Sequence, residues 1–123
     1  TTAGPFLTPS PGQQMTIRGL VRQRAPVPRP GTVPYRDHIM AMEIELMDNE
    51  PVGRTGAAAH VYVSSMTDNV WTDAATINVG DVVVMTLRPW TEMAPDLDGI
   101  TRSELTAGDA GFAEPWWGEL APQ

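Results

Sequence analysis

Small or apolar residues at every second position, in short runs cut off by proline and glycine, constrain this chain more than any other feature. Met15, Ile17, Gly19 and Val21 alternate with Thr16, Arg18, Leu20 and Arg22, the period of a strand with one buried face. Met40, Met42, Ile44 and Leu46 repeat it between residues 38 and 47, with Glu43 and Glu45 on the opposite side. A helix would scatter those four apolar residues around its circumference. Ala59, Val61 and Val63 oppose His60, Tyr62 and Ser64 in a third strand, and the β-branched run Val82-Val83-Val84 opens a fourth that ends before Pro89.

The connections are as informative. Pro26, Pro28, Pro30 and Pro34 forbid a helix or a central strand between the first two runs and leave a stiff extended loop. Asp48 to Gly53 is turn chemistry. Thr67, Asp68 and Asn69 are candidate N-caps, which predicts a short helix through Val70, Trp71, Ala74 and Ala75. A last strand is expected near residues 99–105. Residues 1–13 read as a linker or loosely held terminus, and residues 14–123 as one domain with an acidic, Trp-containing C-terminal tail. Five short strands with one helical turn between the third and fourth predict an all-β, OB-like barrel; a β-sandwich is the alternative. An OB barrel binds its ligand through the loops between strands 1 and 2 and between strands 4 and 5, here residues 23–37 and 89–99.

Composition excludes several chemistries. The 123 residues include no cysteine, hence no disulfide scaffold, thiolate zinc site, iron–sulfur cluster or thiol nucleophile. All 8 basic residues are arginine, which removes Schiff-base chemistry and a P-loop lysine. Against 15 acids they leave a net charge of −7, which repels polyanions and disfavours nucleic acid and anionic membranes. No apolar run approaches the length that spans a bilayer. The charge is segregated: Arg18, Arg22, Arg24, Arg29 and Arg36 all precede the first acid, Asp37, whereas residues 91–123 hold seven acids and only Arg102.

Catalytic and metal motifs are missing. No serine sits in Gly-x-Ser-x-Gly or Gly-Asp-Ser, and His60 with Ser64 has no evident third partner. Asp96-Leu97-Asp98-Gly99 resembles a calcium loop, yet Ala94 and Leu105 fall on its first and twelfth positions. Glu43 and Glu45, about 7 Å apart along a strand, read as a solvated face. No catalytic residue, metal or cofactor is therefore expected. The aromatics are the better clue, because an indole stacks on the C–H face of a sugar and attracts a guanidinium. Arg24, Arg29, Tyr35 and Arg36 in the first loop and Trp90 in the second are the candidate ligand contacts, with arginine forks pairing the carboxylates of an acidic glycan. The alternatives are a protein-docking module, using the acidic Trp-bearing tail, and a single-stranded nucleic-acid binder, which the sign of the net charge opposes.

Several phrases in order carry a resemblance: Val33-Pro34-Tyr35-Arg36-Asp37, the run Met66 to Ala75 (Met-Thr-Asp-Asn-Val-Trp-Thr-Asp-Ala-Ala), Val79-Gly80-Asp81, Leu87-Arg88-Pro89-Trp90 and Trp116-Trp117-Gly118-Glu119. Over about residues 14–119 the chain resembles the β-rich accessory domain of bacterial alginate O-acetyltransferase-like, SGNH-hydrolase-like cell-surface proteins. The resemblance implies a periplasmic or envelope location and a part in polysaccharide O-acetylation, with a polysaccharide or a catalytic O-acetylation protein as partner. In that group a Ser-His-Asp site in a separate domain does the chemistry. Its motifs have no counterpart here.

Overall fold

The computed structural model describes residues 6–47, 58–106 and 113–120. Seven strands and one α-helix follow in chain order: β1 (Met15–Arg24), β2 (His38–Leu46), β3 (Ala58–Thr67), β4 (Val70–Trp71), β5 (Val82–Pro89), α1 (Trp90–Leu97), β6 (Thr101–Ser103) and β7 (Pro115–Leu120). Five of them close into a ring, β1-β2-β3-β7-β5 and back to β1. All neighbours in the ring are antiparallel except β3 and β7, which run parallel through His60↔Pro115, Val61↔Trp116 and Tyr62↔Trp117. This is the small all-β barrel that alternation predicts, with β4 and β6 as additions.

The inner face follows the period-two pattern. Ile17 and Val21 of β1, Met40, Met42, Ile44 and Leu46 of β2, Ala59 and Val61 of β3, and Met85 and Leu87 of β5 are all essentially without solvent contact. Five-stranded barrels are filled by side chains that alternate in size, and β7 does this with Trp116, wholly buried, two residues from Gly118. A Cβ on Gly118 would lie 2.6 Å from Val61 Cγ1 and 3.1 Å from Met85 Sδ. Gly19 on β1 is equally confined, since a Cβ there would meet Ile44 and lie 2.9 Å from the Glu45 carbonyl oxygen.

Three expectations are corrected. The last barrel strand is β7, carrying the tryptophan pair, so those residues are wall and core of the barrel and not a tail; the segment near 99–105 supplies only β6, which continues the β2 edge in parallel from His38↔Thr101 to Met40↔Ser103, beyond the reach of β1. The predicted helix through Val70 and Trp71 is instead a hairpin, β3–β4, followed by a single 3-10 turn, Asp73–Thr76. Asp68 and Asn69 take φ of 52° and 65°, the paired left-handed conformation of a two-residue hairpin turn, which Asp and Asn tolerate better than most residues. The α-helix lies after the fourth barrel strand, within the stretch 89–99 expected as a loop. Pro95 forfeits one helical hydrogen bond, and apolar contacts of Trp90, Met93, Ala94 and Leu97 with the barrel hold the helix. The turn at 48–53 falls outside the described residues. Within residues 6–13, Leu7 is buried and its amide donates to the Ala58 carbonyl at 2.8 Å.

Overfilling a dense barrel costs about 1–3 kcal/mol. Gly118→Ala is accordingly expected to lower the unfolding free energy by that amount in urea titration, whereas Ala at exposed Gly99, with open space around it, leaves the midpoint unmoved.

Candidate functional site

The outer face of β2 and β3, where an OB barrel receives its ligand, is covered here by the chain itself. Tyr62 and His60 of β3 and Ile39 and Ala41 of β2 are on strands already buried on the barrel side, yet they too are buried. Trp90, the first residue of α1, packs edge-on against Tyr62 (centroids 4.9 Å apart, planes at 66°) and lies 5.9 Å from Trp117 on β7. Arg102, from β6, places its guanidinium carbon 5.2 Å from the ring centroids of both Tyr62 and Trp90. Asp98 accepts from the same guanidinium at 2.9 Å, and Glu104 lies 3.4 Å from its Nε while accepting the Tyr62 hydroxyl at 2.7 Å. Burial, reinforced by that carboxylate, raises the Tyr62 pKa above the ordinary phenol value. The result is an aromatic layer outside the barrel, capped by a neutralised cation.

The residues proposed as ligand contacts take different places. Trp90 is 7% exposed; its faces are occupied by Tyr62, Trp117 and Arg102, so no sugar stacks on it in this arrangement. Arg24 is half-buried and donates from Nη1 to the carbonyls of Ala75 (3.1 Å) and Ile77 (2.6 Å), closing the end of the 3-10 turn. Arg36 is exposed but paired with Asp68 at the hairpin tip, whose amide donates to Asp37 at 2.9 Å. Arg29 is exposed. Tyr35 is half-buried, its ring stacked 6.0 Å from that of His38 at 19°. His38 follows the first predicted loop and bonds Ser103, beyond the second, while Asp37 and Leu97 of the two loops line one cavity. Glu43 and Glu45 are bridged by Arg22 at 3.7 and 3.2 Å, an ion-paired strand face.

His38 is the residue that sequence spacing could not single out. It is 1% exposed and bonded through both ring nitrogens: Nδ1 lies 2.6 Å from Ser65 Oγ, and Nε2 lies 2.8 Å from Ser103 Oγ. Ser65 directs its one hydroxyl proton to the His38 carbonyl at 3.0 Å. Its Oγ can then only accept from the ring, so Nδ1 carries the proton and the Nε2 lone pair accepts from Ser103. Burial lowers the His38 pKa below 6.5. Its partners are 27 and 65 residues away, which is why no motif revealed them. His60 is buried as well: Nδ1 donates to the Ala113 carbonyl at 2.9 Å, and Nε2 has no partner among the described residues.

Beside the covered face lie two cavities, of about 290 and 260 Å³. Ser64 and Trp117 belong to the walls of both, so the two adjoin along those residues as a two-part groove. Thr72, Asp73 and Glu119 line one end, and Asp37, His38, Leu97 and Ile100 the other. Among the described residues no arginine lines either cavity. Among the described residues no group of three or more His, Asp or Glu gathers as a metal site, and no helix is long and apolar enough to cross a membrane. No protein-family model, curated protein or solved structure matches the chain.

Two outcomes follow. Charged donors to carbonyls contribute about 1.5–3 kcal/mol, so Arg24→Ala should lose that much stability in denaturant titration and release the 3-10 turn, seen as faster amide exchange at Ala75 and Ile77. A histidine whose folded pKa is depressed contributes stability above the unfolded value, lost as the pH falls through 6.5. Melting temperature should therefore decline on acidification through that value, and the decline should be shallower in His38→Gln.

Proposed function

We propose that this chain is a binding domain that holds a glycan strand, working beside the polysaccharide O-acetylation machinery of a bacterial envelope. The observation that carries the reading is the groove over Ser64 and Trp117. Its walls are mainly apolar, from Val63, Leu97, Ile100 and the Trp117 ring, while hydroxyls of Ser64, Thr67 and Thr72 and carboxylates of Asp37, Asp73 and Glu119 edge it. Sugars present that same mixture: an apolar C–H face that packs on rings and hydroxyls that donate to carboxylates, which only accept. The motif order shared with the O-acetyltransferase accessory domains supports the setting.

The charge of the groove changes the ligand from the one the arginine loop suggested. Three carboxylates, with no cation among the described residues of the walls, oppose a uronate polymer and favour a neutral or amino-sugar strand. Protein docking is the second reading, favoured by Val79, Val82 and Val84, which are 61%, 46% and 39% exposed at and before the outer face of β5.

Calorimetric titration with neutral, amino-sugar and uronate oligosaccharides tests the assignment. Binding is expected for the first two and absent or weakest for the third. Ser64→Trp, which adds a large ring to the wall common to both cavities, should weaken it by at least about tenfold, or 1.4 kcal/mol. Failure of all three sugars at millimolar concentration overturns the glycan reading in favour of docking.

A further inference from the structure

We propose that Ser103, with His38 as its general base, is a nucleophile that accepts acyl groups from activated esters beside the cavity that His38 lines. The inference goes beyond the glycan reading and does not depend on it.

A serine hydroxyl attacks only when a base within hydrogen-bond reach takes its proton and a third group orients the base. All three parts are present: Ser103 Oγ is 2.8 Å from His38 Nε2, and Ser65 Oγ, 2.6 Å from Nδ1, fixes the tautomer because its own proton is committed to the His38 carbonyl. The exposures suit the roles. Ser65 and His38 are 0% and 1% exposed, so the base is shielded from water, while Ser103 at the end of β6 is only half-buried. Burial also keeps the imidazole neutral and able to accept a proton near pH 7. Tyr35, stacked on the His38 ring, restrains it from the side of the first loop. His38 lines the cavity of about 260 Å³, whose Leu97 and Ile100 walls suit a short acyl chain.

In the acylation step the Ser103 oxygen forms a bond to the acyl carbon as its proton passes to Nε2. The carbon–oxygen bond to the leaving alcohol then breaks, and that oxygen leaves with the proton from Nε2. Water reverses the sequence, yielding the carboxylic acid and free Ser103. Neither step needs an oxidant, a reductant or another reactant.

The probe is p-nitrophenyl acetate on the full chain. One equivalent of p-nitrophenol should appear in a burst, and peptide mass mapping should find a single acetyl group on Ser103. Ser103→Ala should lose both signals, and Ser103→Cys should keep the label, since a thiol uses the same base. His38→Gln, checked for its fold by circular dichroism, should slow the burst by about a hundredfold or more. Should that variant not fold, Ser65→Ala, which frees Nδ1, takes its place and should slow the burst as well. Acetylation elsewhere, no burst, or an unchanged rate in the folded His38 or Ser65 variant overturns the proposal. A merely structural Ser103–His38 bond would give no burst, and sugar binding measured in parallel is unaffected by either result.

Discussion

Closure of the sheet by β7 is the constraint on which the rest of the molecule depends. Without that strand β3 and β5 would each present an open row of backbone donors and acceptors; with it, β3 gains a parallel neighbour and β5 an antiparallel one. The strand enters because Trp116 fills the interior and Gly118 leaves room for Val61, Met85 and Leu87 around it. Trp116 also donates its indole N–H to the Leu7 carbonyl at 2.9 Å, tying the segment before β1 to the same point. Trp117, one residue on, faces the other way and anchors the outer aromatic layer. One dipeptide thus supplies the core and the external cover.

That cover redirects the use of a familiar architecture. The face of β2 and β3 that would meet a ligand instead meets Trp90 and Arg102 from the chain's own excursion after β5. Three arginines of the N-terminal basic segment are likewise drawn into local structure. Arg22 joins Glu43 and Glu45, Arg36 joins Asp68, and Arg24 holds two carbonyls. Among the described residues Arg22 and Arg36 thus pair with acids of the middle of the chain, and Arg102 pairs with its own neighbours Asp98 and Glu104. Exposed pairs of this kind each contribute at most about 1 kcal/mol. Their greater effect is to leave the groove over Ser64 and Trp117 with negative edges.

Where the two excursions meet, polar chemistry replaces apolar packing. His38 starts β2, Ser65 lies near the end of β3 and Ser103 ends β6, so three strands converge on one imidazole. Buried polar groups that are fully bonded rigidify what they join. The same bonds that dock β6 against β2 hold the ring between the buried hydroxyl of Ser65 and that of half-buried Ser103.

Much of this was legible along the chain. Strands β1, β2, β3 and β5 declare themselves because a strand's two faces are written in adjacent residues, and the prolines from 26 to 34 mark the stiff loop for a reason internal to each residue. The all-β class follows from those local facts alone. What the sequence could not determine is whatever joins distant residues. Pro115-Trp-Trp-Gly-Glu-Leu has no clean alternation, since it packs on both faces, and only its parallel partner makes it a strand. Trp90 looked available because its neighbours read as a loop; Tyr62 and Arg102, which enclose it, come from elsewhere. Ser103 and His38, 65 residues apart, carry no spacing signal at all. Local periodicity encodes which face of an element is buried, but which atoms then meet is decided by the closure of the ring, and the groove and the His38 relay both arise there.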